Sequence, residues 1–530
     1  MKRTFIISSA ILFLSIFVIQ FSWSPILWSL VIVLPLFFIG VYDMIQKKHA
    51  IRRNFPLLGN FRYLLESIGP EINQYFIESN SSGVPFSREQ RSLVYQRAKN
   101  QLDTLPFGTQ HRVNEVGYEW VNHSLSPVQV DSKTMRVWIG GVDCKQPYHA
   151  SILNISAMSY GALSKHAVLA LNKGAKNSGF AHNTGEGGLT EHHLKNGGDL
   201  IWQIGTGYFG ARTLDGQFDP DLFKEKASHA NVKMIEIKLS QGAKPGHGGI
   251  LPAAKVTKEI AEIRNVPLGK DVNSPPAHST FSTPMGLLGF VKQLRDLSGG
   301  KPVGFKLCVG KRREFLAICK AMVETNILPD YIAVDGGEGG TGSAPLEFSN
   351  SLGAPLTEAL IFVHNALIGF DLRTKIRIIC SGKIVSGFDI VKNMAIGADL
   401  CYSARAMMLA IGCIQSLKCN KNTCPTGVAT QDPHYMQALN IEDKAKRTSS
   451  FHESTVESVA EIIGAMGLNS TNELRPWHRV RRTDFTEIKN YSELFEFLEP
   501  GALLKAPYPE KWARAVKSAI STTFQHISIN

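Results

Sequence analysis

Two apolar runs open the chain, and nothing of their length recurs. Residues 5–21 and 26–41 are almost uninterrupted hydrocarbon, parted by Ser22, Trp23, Ser24 and Pro25. Each lies near the lower limit for a bilayer-spanning helix, and adjoining residues can extend both. Lys2 and Arg3 precede the first run, and Lys47, Lys48, Arg52 and Arg53 follow the second, while the connection carries no charge. The positive-inside rule then predicts a transmembrane hairpin over residues 1–45 with both ends in the cytoplasm. A secretory signal peptide accounts for the first run alone, but no small-residue cleavage site follows it and a second apolar run does.

Residues 46–149 are mixed in pattern. Short helices are expected at 61–65 and 70–77, and Ser87 with Gln90 has the spacing of a capping box. Short strands are expected at 113–120 and 135–139. This region reads as a packing layer that supports a main domain and spaces it from the membrane.

From about residue 150 the pattern becomes regular. Short apolar segments at 152–157, 179–182, 200–204, 234–239, 303–307, 331–334, 376–380 and 400–403 read as strands. Helical stretches intervene or flank them at 165–176, 253–264, 287–297, 312–324, 356–368, 386–395 and 404–411. Strands alternating with helices in this way predict an α/β fold, a (β/α)8 TIM barrel over residues 150–435. A doubly wound sheet is the alternative, but no GxGxxG follows an early strand with an acidic residue about 20 positions on. Residues 436–530 are expected to form a C-terminal packing extension with a helix near 452–464.

In a barrel the chemistry sits at the C-terminal ends of the strands. Those ends supply Ala157, Met158 and Ser159, then Glu186 within NTGEGG, then Lys238, Gln241 and Lys244, then Lys306. The sixth strand ends in Asp335 and a glycine loop containing Gly339 and Gly340, the seventh in Ser381, Gly382 and Lys383, the eighth in Arg405. Glycines directly after a strand permit close approach of backbone to a bound group, and successive N–H groups there can hold an anion. The set is rich in cations and amides, with no HExxH and no GxSxG. Lysines in or beside apolar strands point to stabilised negative charge on a cofactor ring or a carboxylate substrate. A phosphate suits the loops after the seventh and eighth strands. Together these features suit a flavin mononucleotide site better than a sugar hydrolase. His182, His247 and His278 have no spacing that marks a metal set.

Composition changes this picture little. The net charge of +12 is dispersed, without the aromatic-interleaved basic patch of a nucleic-acid surface. Of the eight cysteines, Cys308, Cys319, Cys380 and Cys401 fall in or beside apolar segments and are expected in the core, as in a reducing compartment. Cys413, Cys419 and Cys424 form a loop cluster ending in Cys-Pro. Three thiolates suit a three-iron cluster, zinc would want a fourth ligand, and three plain structural cysteines are the remaining reading.

Several long motifs, in order, carry a resemblance: AMSYGALS from Ala157, NTGEGG from Asn183, EIKLSQGAKPG from Glu236, SPPAH from Ser274, GGTGSAP from Gly339 and the segment from Cys413 to CPTGVATQ. The chain resembles the FMN-binding synthase domain of the glutamate synthase family, in a stand-alone, membrane-anchored, glutamate synthase-like form. The resemblance implies FMN, a [3Fe-4S] cluster on Cys413, Cys419 and Cys424, and reduction of 2-iminoglutarate, formed from 2-oxoglutarate and ammonia, to glutamate. It implies that Ala157, Met158, Ser159, Lys238, Lys306, Gly382, Lys383 and Arg405 fall near the flavin. Gln241, Gly339 and Gly340 would fall near flavin or substrate, and Glu186 and Lys244 would face substrate. A ferredoxin-like or other donor would supply electrons, and a homo-oligomer is also considered. The catalytic domain would lie on the cytoplasmic side.

The chain departs from the family at His247, where Glu is usual, at Asn420, where His is usual, and at SGK, ending in Lys383, where DGG is usual. A glutaminase domain with a terminal cysteine and a pyridine-nucleotide domain are not recognised. The alternative activity keeps the FMN barrel but acts on another 2-oxo acid, an alcohol or a quinone. A non-catalytic membrane scaffold is the reading from a different class.

Overall fold

The computed structural model describes residues 1–525 and divides the chain into two compact units, Met1–Arg88 and Glu89–Asn530. In the first unit the two apolar runs become helices. Helix α1 is Lys2–Ile19, and after a 3-10 turn at Ser24–Ser29 helix α2 is Leu30–Ile45. The expected break holds because Pro25 at the start of the turn has no N–H to continue α1. Phe37 of α2 meets Phe5 and Phe13 of α1 with ring centroids 6.2 and 5.2 Å apart, so aromatic contacts join the pair. Most of the remaining apolar side chains on both helices are exposed, as lipid-facing residues are. A short helix α3, Ala50–Asn54, and a longer α4, Leu58–Ile72, complete the unit. The two short helices expected at 61–65 and 70–77 are instead α4 and a π-helical turn, Asn73–Ile77, running on from it. Many of the apolar side chains of this stretch are exposed.

The second unit contains a closed barrel of eight parallel strands. They are β1 Leu153–Ile155, β2 His182–Asn183, β3 Leu200–Ile204, β4 Val232–Lys238, β5 Val303–Leu307, β6 Tyr331–Asp335, β7 Arg377–Ser381 and β8 Leu400–Ser403. They pair in chain order, and β8 closes onto β1. Every expected strand is present. The second is displaced, because Gly179 takes the left-handed conformation that ends helix α5, Lys165–Ser178, and the strand forms only at His182. Ser164 caps the other end of α5, its hydroxyl accepting the Ala167 N–H at 3.1 Å.

Helix α5 packs on a 25-residue helix α6, Ile441–Ala465. That helix starts well before the expected position 452. Asn440 caps it by accepting the Asp443 N–H at 3.0 Å, and Ala445 and Thr448 are buried on its early turns. The C-terminal extension therefore reaches the helical layer around the barrel. Cys308, Cys319, Cys380 and Cys401 are buried free thiols, as their apolar neighbours predict.

The N-terminal end of the barrel is held by Asp330. Its carboxylate accepts from Val303 N–H at 2.7 Å, Gly141 N–H at 2.6 Å and the Arg295 guanidinium at 2.9 Å, and the two charged side chains are almost unexposed. Removing one partner of a buried pair strands the other charge. Asp330→Ala should therefore lower stability by about 3–5 kcal/mol, read as a lower denaturant midpoint.

Candidate active site

Strand register decides which side chains meet at the barrel mouth. Lys306 of β5 lies opposite Lys238 of β4, so the two ammonium-bearing side chains share one face. Both lysines are buried. Lys238 has a partner: its ammonium donates to Glu186 Oε1 at 2.7 Å. Lys306 is 4% exposed, and among the described residues no hydrogen bond or ion pair reaches its ammonium. Its charge acts on Glu236 from a distance, and its Nζ is not among the fully enclosed unpaired atoms, so it offers positive charge to an anion at the mouth.

Glu186 reaches Lys238 from the loop after β2. Burial alone would raise its carboxyl, but Lys238, then Lys244 and Arg264, outweigh that and hold it below the ordinary carboxylate range. Lys238 sits below its ordinary value because of burial, with Lys306 adding to the effect against Glu186. Lys244 is lowered to about 8, first by burial and then by Lys238, against the pull of Glu186. Its ammonium donates to the Ser343 carbonyl at 2.8 Å, so the loop after β4 touches the loop after β6. Three cations around one carboxylate leave a net positive centre.

One layer deeper, Glu236 of β4 accepts from Gln203 at 2.6 Å and from Asn183 at 2.9 Å. Burial pushes its carboxyl up, against the pull of Lys306. Behind Lys238, His278 bonds the Lys238 carbonyl at 2.9 Å and stacks on Phe281. His182 is fully buried with neither ring nitrogen bonded among the described residues, and burial lowers it to about 3. His247 lies edge-on to Phe348.

The glycine loop is fixed rather than free. Asp335 accepts the Gly242 N–H at 2.9 Å through one oxygen and the Ser381 hydroxyl through the other. A Cβ on Gly242 would stand 1.7 Å from the Gly336 carbonyl, so only glycine lets the loops after β4 and β6 meet so closely. Glu338 of the same loop caps the helix Leu356–Gly369, its carboxylate accepting the Leu356 N–H at 3.0 Å. That helix terminus is thus already paired with an anion from the chain itself. Arg405 lies against Gly340 and donates to the Glu338 carbonyl at 2.6 Å. Lys383 is lowered by burial and then by Arg405, so two cations face each other between the ends of β7 and β8. Lys383 holds φ +52°, within the SGK turn. Next to β8 around the closed barrel, the loop after β1 carries Ala157, Met158 and Ser159, all half-buried. A Cβ on Gly185 would lie 2.5 Å from the Ser159 nitrogen, so the first two loops are in contact. Gln241 is half-buried in the loop after β4.

The cysteine loop joins the same mouth from beside β1. Gln431 donates to the Gly161 and Leu163 carbonyls at 3.1 and 2.7 Å. Buried Lys255 donates to Ala162 and Ala429 at 3.0 and 2.8 Å, and its charge is felt by Cys419 and Cys424. Burial would raise the Cys424 thiol, but the Ala429, Thr426 and Val428 backbone and the Thr426 hydroxyl, 3.6 Å from the sulfur, hold it below the ordinary range. Cys413 and Cys419 remain above it, chiefly through burial. Among the described residues no three histidine, cysteine or carboxylate side chains are gathered closely enough for a single metal ion.

The conserved region of glutamate synthase matches residues 121–469, most of the chain. The chain belongs to the glutamate synthase family. It is 36% identical to the glutamate synthase large subunit-like protein YerD of Bacillus subtilis over 497 residues, 86% of this chain and 94% of that one. It is 36% identical to the archaeal glutamate synthase [NADPH] of Methanocaldococcus jannaschii over 322 residues, and there it spans 60% of the relative. Against the large chain of the Azospirillum brasilense enzyme it is 32% identical over 335 residues, 20% of that protein. In kind, then, this is an oxidoreductase of the glutamate synthase family built on a closed barrel.

Sequence reasoning missed Arg264, Lys255 and Glu236. Arg264 ends a short polar helix, Lys258–Arg264, whose pattern places it outward, yet it is buried and donates to the Tyr160 carbonyl at 2.8 Å. Glu236 carried the same signal as Lys238, a charge inside an apolar strand.

Proposed function

We propose that the barrel mouth binds FMN and reduces 2-iminoglutarate, formed from 2-oxoglutarate and ammonia, to glutamate with electrons from an external carrier. The observation that supports this reading is Lys306, a lysine buried at the mouth whose ammonium no hydrogen bond or ion pair among the described residues reaches. Lys383 and Arg405 suit a phosphate as two neighbouring cations, Arg405 adding to the burial that lowers Lys383. Bound FMN would supply hydride transfer, and a [3Fe-4S] cluster on Cys413, Cys419 and Cys424 would supply single-electron relay. A multi-iron cluster holds its thiolates further apart than one ion does, so a single-ion site is not required of these cysteines. The Thr426 hydroxyl and the backbone around Cys424 favour the thiolate that a cluster ligand needs.

The chain's own groups do the remaining work. Lys306 and Lys238 set positive charge against the negative charge that gathers at the mouth during reduction. Lys244 and Arg264 suit a substrate carboxylate, and Glu186 suits ammonia or the imine nitrogen, to which it can present a carboxylate. Ala157, Met158, Ser159, Gln241, Gly339, Gly340 and Gly382 supply backbone and side-chain contacts around the ring. The reaction consumes two electrons and two protons per imine, and a ferredoxin-like protein is the proposed carrier. Residues 1–45 would anchor the chain, with the barrel of residues 150–435 on the cytoplasmic side because Lys2, Arg3, Lys47 and Lys48 flank the hairpin. Anchoring favours one second reading, in which a membrane quinone exchanges electrons with the same flavin.

Lys244 gives a pH signature. Its ammonium is charged below about 8 and neutral above it. If it binds a substrate carboxylate, KM for 2-oxoglutarate should rise as pH climbs through that value, with kcat changing less. The Lys244→Met variant should start with the higher KM and lose that pH dependence. The whole reading is tested by absorbance and glutamate formation in the purified protein. A colourless protein that cannot be reconstituted would remove it.

A further inference from the structure

Helix α4, Leu58–Ile72, is amphipathic in the reverse sense to a packed helix. Leu58, Phe61, Leu64, Leu65, Ile68 and Ile72 fall within an arc of about 120° at 3.6 residues per turn. In a core-facing helix such a stripe is covered. Here its first five members are 40–62% exposed. The opposite side makes the contacts within the unit. Asn60 donates to the buried Asp43 carboxylate at 2.5 Å, and the Leu57 N–H reaches the same oxygen at 3.1 Å. Tyr63 lies under the Arg52 guanidinium at 4.4 Å and meets the His49 ring edge-on at 4.9 Å. The polar side of α4 is thus fastened to the end of the hairpin, and its apolar stripe is left bare.

The bare surface continues beyond the helix. In the π-helical turn Asn73–Ile77, Tyr75, Phe76 and Ile77 are exposed, Phe76 by 84%. Between the hairpin and α4 stand Lys47, Lys48, Arg52 and Arg53, the charges that meet anionic headgroups. We propose that α4 and its π-helical turn lie in the membrane interface, with the stripe in the headgroup–acyl boundary. The occupant of this face is the bilayer, for three reasons. The stripe belongs to the same compact unit as the two apolar helices. The connecting segment is cationic. The aromatic and aliphatic mix suits a boundary about 5–10 Å deep. The anchor is then a hairpin with an in-plane strut.

The test uses the full-length protein in nanodiscs containing anionic lipid and a phospholipid with a photoreactive diazirine near its headgroup. After illumination, adducts are mapped by peptide mass spectrometry. Adducts should appear within residues 58–77 as well as within 2–45. Adducts confined to 2–45 would overturn the proposal, and would mean that a protein surface covers the stripe. Adducts on neither segment would overturn the anchoring on which it rests. In a Phe61→Glu, Leu65→Glu variant the 58–77 adducts should be lost and the hairpin adducts kept. Adducts that persist at 58–77 in that variant would also count against it.

Discussion

Replacing Lys306 with methionine should lower turnover by about 10²–10³-fold. Lys306 is buried on β5 opposite Lys238, with no hydrogen bond or ion pair among the described residues. Its charge therefore serves whatever anion enters the mouth. Methionine keeps much of the volume, carries no charge and fills irregular space, so the barrel should stay packed and even gain stability. The expected pattern is low kcat in a protein with unchanged circular dichroism and an equal or higher melting temperature. A structural lysine would give the opposite pattern, with lost stability and ordinary turnover in the molecules that remain folded. Steady-state rates beside a melting curve separate the two.

The second large effect belongs to Glu186. It is the carboxylate among Lys238, Lys244 and Arg264, and its 2.7 Å bond to Lys238 is largely shielded from water. Glu186→Gln leaves those cations without that counter-charge. Breaking one side of a buried pair is expected to cost about 3–5 kcal/mol, and turnover should fall with it. Lys238→Met alone should be milder for stability, because Lys244 and Arg264 still face Glu186. The double variant should recover most of the stability lost in Glu186→Gln and none of the turnover. That asymmetry, read by chemical denaturation and kinetics on the same four proteins, separates a site carboxylate from a merely structural ion pair.

The barrel was legible because its strands are short apolar runs separated by longer amphipathic ones, and that alternation has few solutions. Where the boundaries moved, local chemistry moved them. Gly179 extended one helix and delayed β2, and Asn440 started α6 eleven residues before the apolar stretch that advertised it. At the site, Lys238 and Lys306 could be picked out because a charge in an apolar strand is conspicuous. Their register, which puts them side by side, could not be read from either strand alone. Arg264 and Lys255 were hidden for a different reason. Both lie in polar segments where a cation is ordinary, and only the fold turns them inward. Residues 58–77 show the converse. Their helical pattern was visible, but pattern alone assigns an apolar face to the nearest core, and here that face is bare.

The central claim is glutamate formation on this barrel. The most direct measurement supplies the purified, FMN- and iron-loaded full-length protein with 2-oxoglutarate, ammonia and a chemically reduced ferredoxin, and follows both glutamate and donor oxidation. The account predicts one glutamate for every two electrons withdrawn, with no product when either substrate is left out. Full cofactor occupancy with donor oxidation but no glutamate would contradict it, and would direct the search to another 2-oxo acid, an alcohol or a quinone.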